Sequence, residues 1–161
     1  MAYAIFNSDL MTAITDASKH VFFKITGTGV QNGNVVKIDS LVSGERNVYT
    51  YATPEANTPL TSVAILTTPE LMSDERKKNL NEFINEVGTV ARGFMFEKGD
   101  VFSVTVDGLT GTDIAAGDIV ELDASTKLKV VAKATGLTSG STKVGTVIEV
   151  VGDVVRIRVG D

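Results

Sequence analysis

One short pattern occurs four times in this chain, and it limits the fold more than any other feature. Glycine is followed by Asp or Asn, two apolar residues, a variable position and another apolar residue. The copies begin at Gly33-Asn34-Val35-Val36, Gly99-Asp100-Val101-Phe102, Gly117-Asp118-Ile119-Val120 and Gly152-Asp153-Val154-Val155, and close on Ile38, Val104, Leu122 and Ile157. Glycine takes the positive-φ conformation that ends a turn, and the Asx side chain satisfies turn amides. The third and fifth residues after glycine then point the same way along an extended strand. Each copy therefore reads as a turn delivering the chain into a strand. Their uneven spacing excludes a fixed-period solenoid or propeller and favours a compact β-sandwich or barrel.

The rest of the chain fits a mainly β protein. Between Lys19 and Leu66, Val, Thr, Tyr and Gly dominate, with short alternating runs such as VYTYA. At the C-terminus TVIEVV and VVRIRV are separated only by Gly152 and Asp153, the length and chemistry of a tight hairpin turn. Pairing the arms about that turn sets Glu149 opposite Arg156. It predicts an apolar strip of Ile148, Val150, Val155, Ile157 and Val159 on the opposite face. One stretch reads differently. Thr68 suits an N-cap, Pro69 the first helical position, and Glu70, Asp74 and Glu75 the positive end of a helix dipole. Leu80, Phe83, Ile84 and Val87 fall on one helical face and Gly88 is a stop, so one amphipathic α-helix is predicted near 69–87. The expected class is α+β: a sandwich-like or barrel-like set of antiparallel hairpins with that helix inserted.

Composition removes several functions. A chain of 161 residues, 43% hydrophobic and 22% charged, is large enough to bury one good core or two small ones sharing a seam. It has no cysteine, hence no disulfide, thiolate nucleophile or cysteine-ligated metal. The first twenty residues lack the basic start and apolar block of a secretory signal, and no apolar run approaches a membrane span. We therefore expect synthesis in the cytoplasm and no membrane partner. The net charge is −5 and the fifteen Lys and Arg are scattered, which disfavours nucleic acid.

The residues that could carry chemistry do not assemble into a recognisable set. His20, the single histidine, has no carboxylate or histidine at ligand spacing and is expected to be structural. The glycines of ITGTGVQNG precede a strand rather than a helix, so no helix N-terminus would face a pyrophosphate, and GLTSGSTKVG lacks the Gly-Lys-Ser/Thr ending of a phosphate loop. Asp107, Asp113, Asp118 and Asp123 are spaced about six apart with apolar residues between, unlike the alternating oxygens of a calcium loop; turn and capping roles are expected. No serine sits in a nucleophile elbow. The expectation is a protein without catalytic residues, cofactor or metal site.

The segment TPELMSDERKKNLNEFINEVGTVARGFMFEKGDVFSVT, residues 68 to 105, resembles a block found in small structural proteins of tailed bacteriophages of Gram-positive hosts. GTDIAAGDIVELDASTKLKV is similar to the β-rich ends of such auxiliary head proteins. The resemblance covers the second half to two-thirds of the chain. It implies a capsid decoration or cement protein on the outer surface of the virion, bridging subunits of the major capsid protein. Self-association into a homo-oligomer such as a trimer is compatible with that role. A head–tail connector or tail component, and a β-rich carbohydrate- or cell-surface-binding module, are the alternatives; the absence of Trp and the count of three Tyr weigh against the last.

The expected organisation is an arm or short helix over 1–18, then a single compact β-rich domain over 19–161 with a subdivision near 67–93. Tyr3, Ile5, Phe6 and Leu10 precede any clear strand and have no obvious place in the β core. They are the candidate capsid-binding residues, the alternative being a short helix from Ser8 packed on the domain.

Overall fold

A computed structural model describes residues 4–71 and 82–160. It is mainly β, and its strands form two sheets that share a core. The first is a closed five-stranded barrel of β2 (His20–Lys24), β3 (Val35–Leu41), β4 (Val48–Ala52), β5 (Val63–Leu66) and β6 (Val90–Met95), in the order β2-β4-β3-β5-β6. All its pairings are antiparallel except β2 with β4. The second is a seven-stranded sheet of β1 (Phe6–Leu10), β7 (Val101–Thr105), β8 (Leu109–Thr110), β9 (Ile119–Glu121), β10 (Leu128–Val131), β11 (Lys143–Val151) and β12 (Val154–Val159), ordered β1-β7-β12-β11-β9-β10-β8.

Strand alternation explains how the two sheets fit together. In β5, Ala64 and Leu66 face the barrel interior with Val21, Phe23, Val36 and Ala91, while Val63 and Ile65 face the seven-stranded sheet. All four β5 side chains are fully buried. A strand covered on both faces reads as an unbroken apolar run, which VAIL is. Valines 35 and 36 repeat the arrangement one strand away, Val35 joining the larger core and Val36 the barrel. From the other side that larger core receives Phe102, Val104, Val120, Leu122, Val155 and Ile157, the third and fifth residues after the glycine in three of the four repeated motifs.

The motifs share a backbone device. Gly33, Gly99, Gly117 and Gly152 all have positive φ, from 59° to 96°. In three copies two residues of the motif oppose a single residue of a neighbouring strand. The Gly99 N–H donates to the Val159 carbonyl and the Val159 N–H donates to the Asp100 carbonyl; Gly117 and Asp118 bracket Val147 in the same way, and Gly33 and Asn34 bracket Leu66. Each is a glycine-led β-bulge that turns the chain into its strand. The fourth copy forms the two-residue hairpin turn between Val151 and Val154, with the left-handed glycine first, as in a type II′ turn.

That hairpin departs from simple alternation at one place. Glu149 pairs with Arg156 and Val150 with Val155, but a bulge then shifts the register, so that Val147 rather than Ile148 lies opposite Ile157. Val147 is buried and Ile148 is 43% exposed. The predicted apolar strip is therefore corrected: Val147 supplies its inner position and Ile148 faces outward.

The amphipathic helix predicted near 69–87 is not seen; the described residues contain no helix of seven or more residues. Residues 72–81 lie outside the described residues, and the flanks are not α-helical. Tertiary hydrogen bonds account for the flanks. The Asn32 amide donates to the Thr68 carbonyl at 2.9 Å and accepts from the Thr68 N–H at 3.0 Å. Asn85 forms an isolated antiparallel bridge with Val30, and its side-chain amide donates to the Val30 carbonyl and to Asn32 Oδ1. Phe83 is buried, and Ile84 lies so close to Gly29 that a Cβ there would be 2.8 Å from its Cδ1. Chain ends pinned in this way have surrendered the local hydrogen bonds a helix would need.

Candidate docking surface

The N-terminal segment is part of the sheet. Ile5 exchanges hydrogen bonds with Thr105, its N–H donating to the Thr105 hydroxyl and its carbonyl accepting from the Thr105 N–H, both at 3.0 Å. Phe6 pairs with Val104, is buried, and brings its ring within 5.7 Å of Phe102. Its lack of a place in the core is thus corrected: the place is supplied by a strand nearly a hundred residues further on. Ser8 starts no helix, being within β1, and the helical turns that follow are single 3₁₀ turns at Thr12–Ile14 and Ala17–Lys19. Of the other candidate residues, Ile5 is half-buried, Leu10 is 70% exposed and Tyr3 lies outside the described residues.

β1 is one edge of the seven-stranded sheet, and its outward edge pairs with no other strand among the described residues. A register shift between Asn7 and Leu10 bends it, and Asp9 takes a left-handed φ of 34°. The Asp9 carboxylate accepts a hydrogen bond from the Ser103 hydroxyl and lies 3.6 Å from Arg156 Nε. Beyond the bend, Leu10 and Ile14, the latter 49% exposed, present apolar side chains to solvent.

The acidic residues scatter over the fold. Asp118 is a buried turn residue: one carboxylate oxygen accepts from the Ala115 N–H within its own turn, the other from the Lys133 N–H after β10. Asp107 belongs to a 3₁₀ turn and its carbonyl accepts from Lys127 Nζ; Asp113 has a φ of 52°; Asp123 accepts from the Ala124 N–H. Among the described residues, no three acidic or histidine side chains gather as a metal-ligand group. His20 stacks on Phe94 at 4.9 Å, and its Nε2 is 2.7 Å from the Ala13 carbonyl. Arg92 approaches the same ring at 4.9 Å and donates twice to the Thr67 carbonyl; burial pushes its guanidinium below its ordinary pKa.

Two buried polar centres escaped the sequence reading. Glu121, the variable position of its motif, is fully buried; it accepts from the Thr138 N–H and hydroxyl and pairs with Lys129 at 3.2 Å. Asn32 and Asn85 form the other. The one available signal for Asn32 was its place in the run QNGN, which equally suits an exposed loop. A cavity of about 310 Å³ opens between Lys98, Thr146, Ile148, Arg158 and Gly160.

These features define a mainly β protein in which a closed barrel is packed on an open sheet, with buried carboxylates and amides used as structural ties and apolar side chains left exposed at the open edge. No protein-family model matches the chain, and no curated protein matches it.

Proposed function

We propose that the protein is a capsid decoration protein that binds the outside of an assembled phage head and bridges subunits of the major capsid protein. The reading rests on the resemblance of residues 68–105 and 111–130 to auxiliary head proteins. The structural observation that carries it is the open β1 edge, where Leu10 and Ile14 are exposed on a segment held to β7 at Phe6, Asn7 and Leu10. A cement protein needs a stiff body and an anchor that meets its partner with little loss of conformational freedom. An edge fixed by Phe6 in the core and by Asp9 on Ser103 meets that need. About 800 Å² per partner is an ordinary specific contact, and bridging two subunits adds multivalency. The reading asks for no catalytic step.

Co-sedimentation of the protein with mature and with immature heads tests it. We expect binding, and we expect the exposed-site double substitution L10S/I14S to weaken it while leaving the thermal transition in place. Failure of the wild-type protein to sediment with either form would reject the proposal. Cryo-electron microscopy of virions separates it from a connector or tail role by where the density lies.

A further inference from the structure

The outward face of the β11–β12 hairpin stands open to solvent and carries more apolar surface than a solvated face needs. Ile148 is 43% exposed, Val151 63% and Val154 43%. Ile148 is outward only because the bulge places it there; unbroken pairing would have set it opposite Ile157, whose side chain is buried in the core. A bulge re-aims a side chain at the cost of a ladder position, and here the re-aimed side chain is a large apolar one. The hairpin lies inside the sheet, between β7 and β9. β7 flanks β12 along Val154–Arg158 and β9 flanks β11 along Lys143–Thr146, so what the hairpin offers a partner is chiefly its outward face rather than a long free edge.

From the cross-strand pairs we infer that this face binds a second copy of the same chain. Val151 pairs with Val154, Glu149 with Arg156, and Thr146 with Arg158. A two-fold axis lying in the interface, along the hairpin and between its arms, places β11 of one copy over β12 of the other. Each residue of those three pairs then meets the counterpart of its own cross-strand partner. Valine meets valine, and Glu149, whose side chain is 56% exposed, meets the half-exposed Arg156 of the other copy. Thr146 and the exposed Arg158 offer a donor–acceptor pair further along. Such self-complementarity is what an isologous interface requires, and aligned face-to-face packing is one of the two ways sheets stack. Within one copy Glu149 Oε2 and Arg156 Nη1 are 3.8 Å apart and the Arg156 side chain is 41% exposed, so a second carboxylate above it adds an acceptor on the exposed side of the guanidinium. The inference is independent of any capsid role.

Sedimentation velocity of the full chain from about 1 to about 100 µM, a range that covers an interface of modest size, should show a reversible monomer–dimer equilibrium. The substitutions E149R and R156E should each weaken the dimer by about tenfold or more, the scale of a close charge pair lost and replaced by repulsion. Mixing the two variants should restore a dimer containing one copy of each, because positions 149 and 156 are then both cationic on one copy and both anionic on the other. Damage within a single copy would not be repaired by mixing. V151K with V154E, both at exposed positions, gives a second pair with the same expected rescue and does not disturb the contact of Arg156 with Asp9. A wild-type chain that stays monomeric throughout the range, a trimer as the associated species, or mixtures that remain monomeric would each overturn the inference.

Discussion

A single oxygen of Asp100 ties the N-terminal segment to the start of a distant strand: Oδ1 accepts from both the N–H and the hydroxyl of Thr12, at 2.9 and 2.8 Å. The other oxygen accepts from the Glu97 N–H and closes its own turn. Asp100 is 2% exposed. D100A should therefore strand three donors and cost about 3 kcal/mol, in line with hydrogen bonds to a charged, buried acceptor. T12V removes only one of those bonds and should cost about 1 kcal/mol. Urea unfolding with an unchanged m-value is the measurement; equal losses for the two variants would reject this account of the tie.

Glu121 supports a different region. E121A removes the acceptor of the Thr138 N–H and hydroxyl and leaves Lys129 without its buried partner. Because Lys129 is 35% exposed, its share is discounted for solvent screening, and the expected loss is about 2–3 kcal/mol. Hydrogen exchange should locate the effect, with the Thr138 amide losing protection while amides of the barrel strand β5 keep theirs.

Two glycines should respond to alanine for separate reasons. Gly145 has an ordinary φ, but a Cβ there would lie 2.0 Å from the Arg158 carbonyl oxygen, so G145A must push β11 and β12 apart and should cost about 3 kcal/mol or more. Gly99 has nothing within 4 Å of such a Cβ but has a φ of 93°, so G99A should cost only about 1–2 kcal/mol of backbone strain. Thermal denaturation of the pair checks the ordering, and a larger loss at Gly99 would contradict it.

The pH dependence has two surface contributions of opposite sign. The Ser18 side chain and backbone N–H hold the Asp16 carboxyl below its ordinary value. A depressed carboxyl stabilises the fold above its unfolded pKa, and that contribution is lost as pH falls through the folded value. Lys19 is raised, chiefly by its hydrogen bond to Glu97, so its contribution is complete below the unfolded lysine pKa and disappears as pH rises through the folded one. Both groups lie at the surface, partly exposed, and both effects should be small. Side-chain NMR titration should find Asp16 titrating below, and Lys19 above, their ordinary ranges, and D16N should abolish the acid-side effect.

What was legible in the sequence was local. The four Gly-Asx strand entries were readable because positive φ, turn closure and the direction of the next apolar residues are all set within six residues. The C-terminal hairpin was readable for the same reason as far as Glu149 and Arg156. Past that pair the register depends on which of Val147 and Ile148 the distant core accepts, and the alternation rule chose wrongly. The helix read into 69–87 had a cap, a dipole and an apolar face, yet its flanks are held by Asn32 and Val30, 36 to 55 residues away along the chain. Phe6 seemed homeless because its neighbours, Phe102 and Val104, belong to a strand that only the fold brings beside it. Glu121 falls at the variable position of its motif, and no local pattern announces that the turn bearing Thr138 covers it.

The four side chains of β5 divide between two interiors. Loss of that strand would open the barrel and uncover the floor of the seven-stranded sheet in the same event, since Val63 and Ile65 are inseparable from Ala64 and Leu66. Barrel and sheet therefore have no independent existence as folding units. Heat or denaturant should meet one cooperative body, and a pull applied at the open edge is borne by the whole of it.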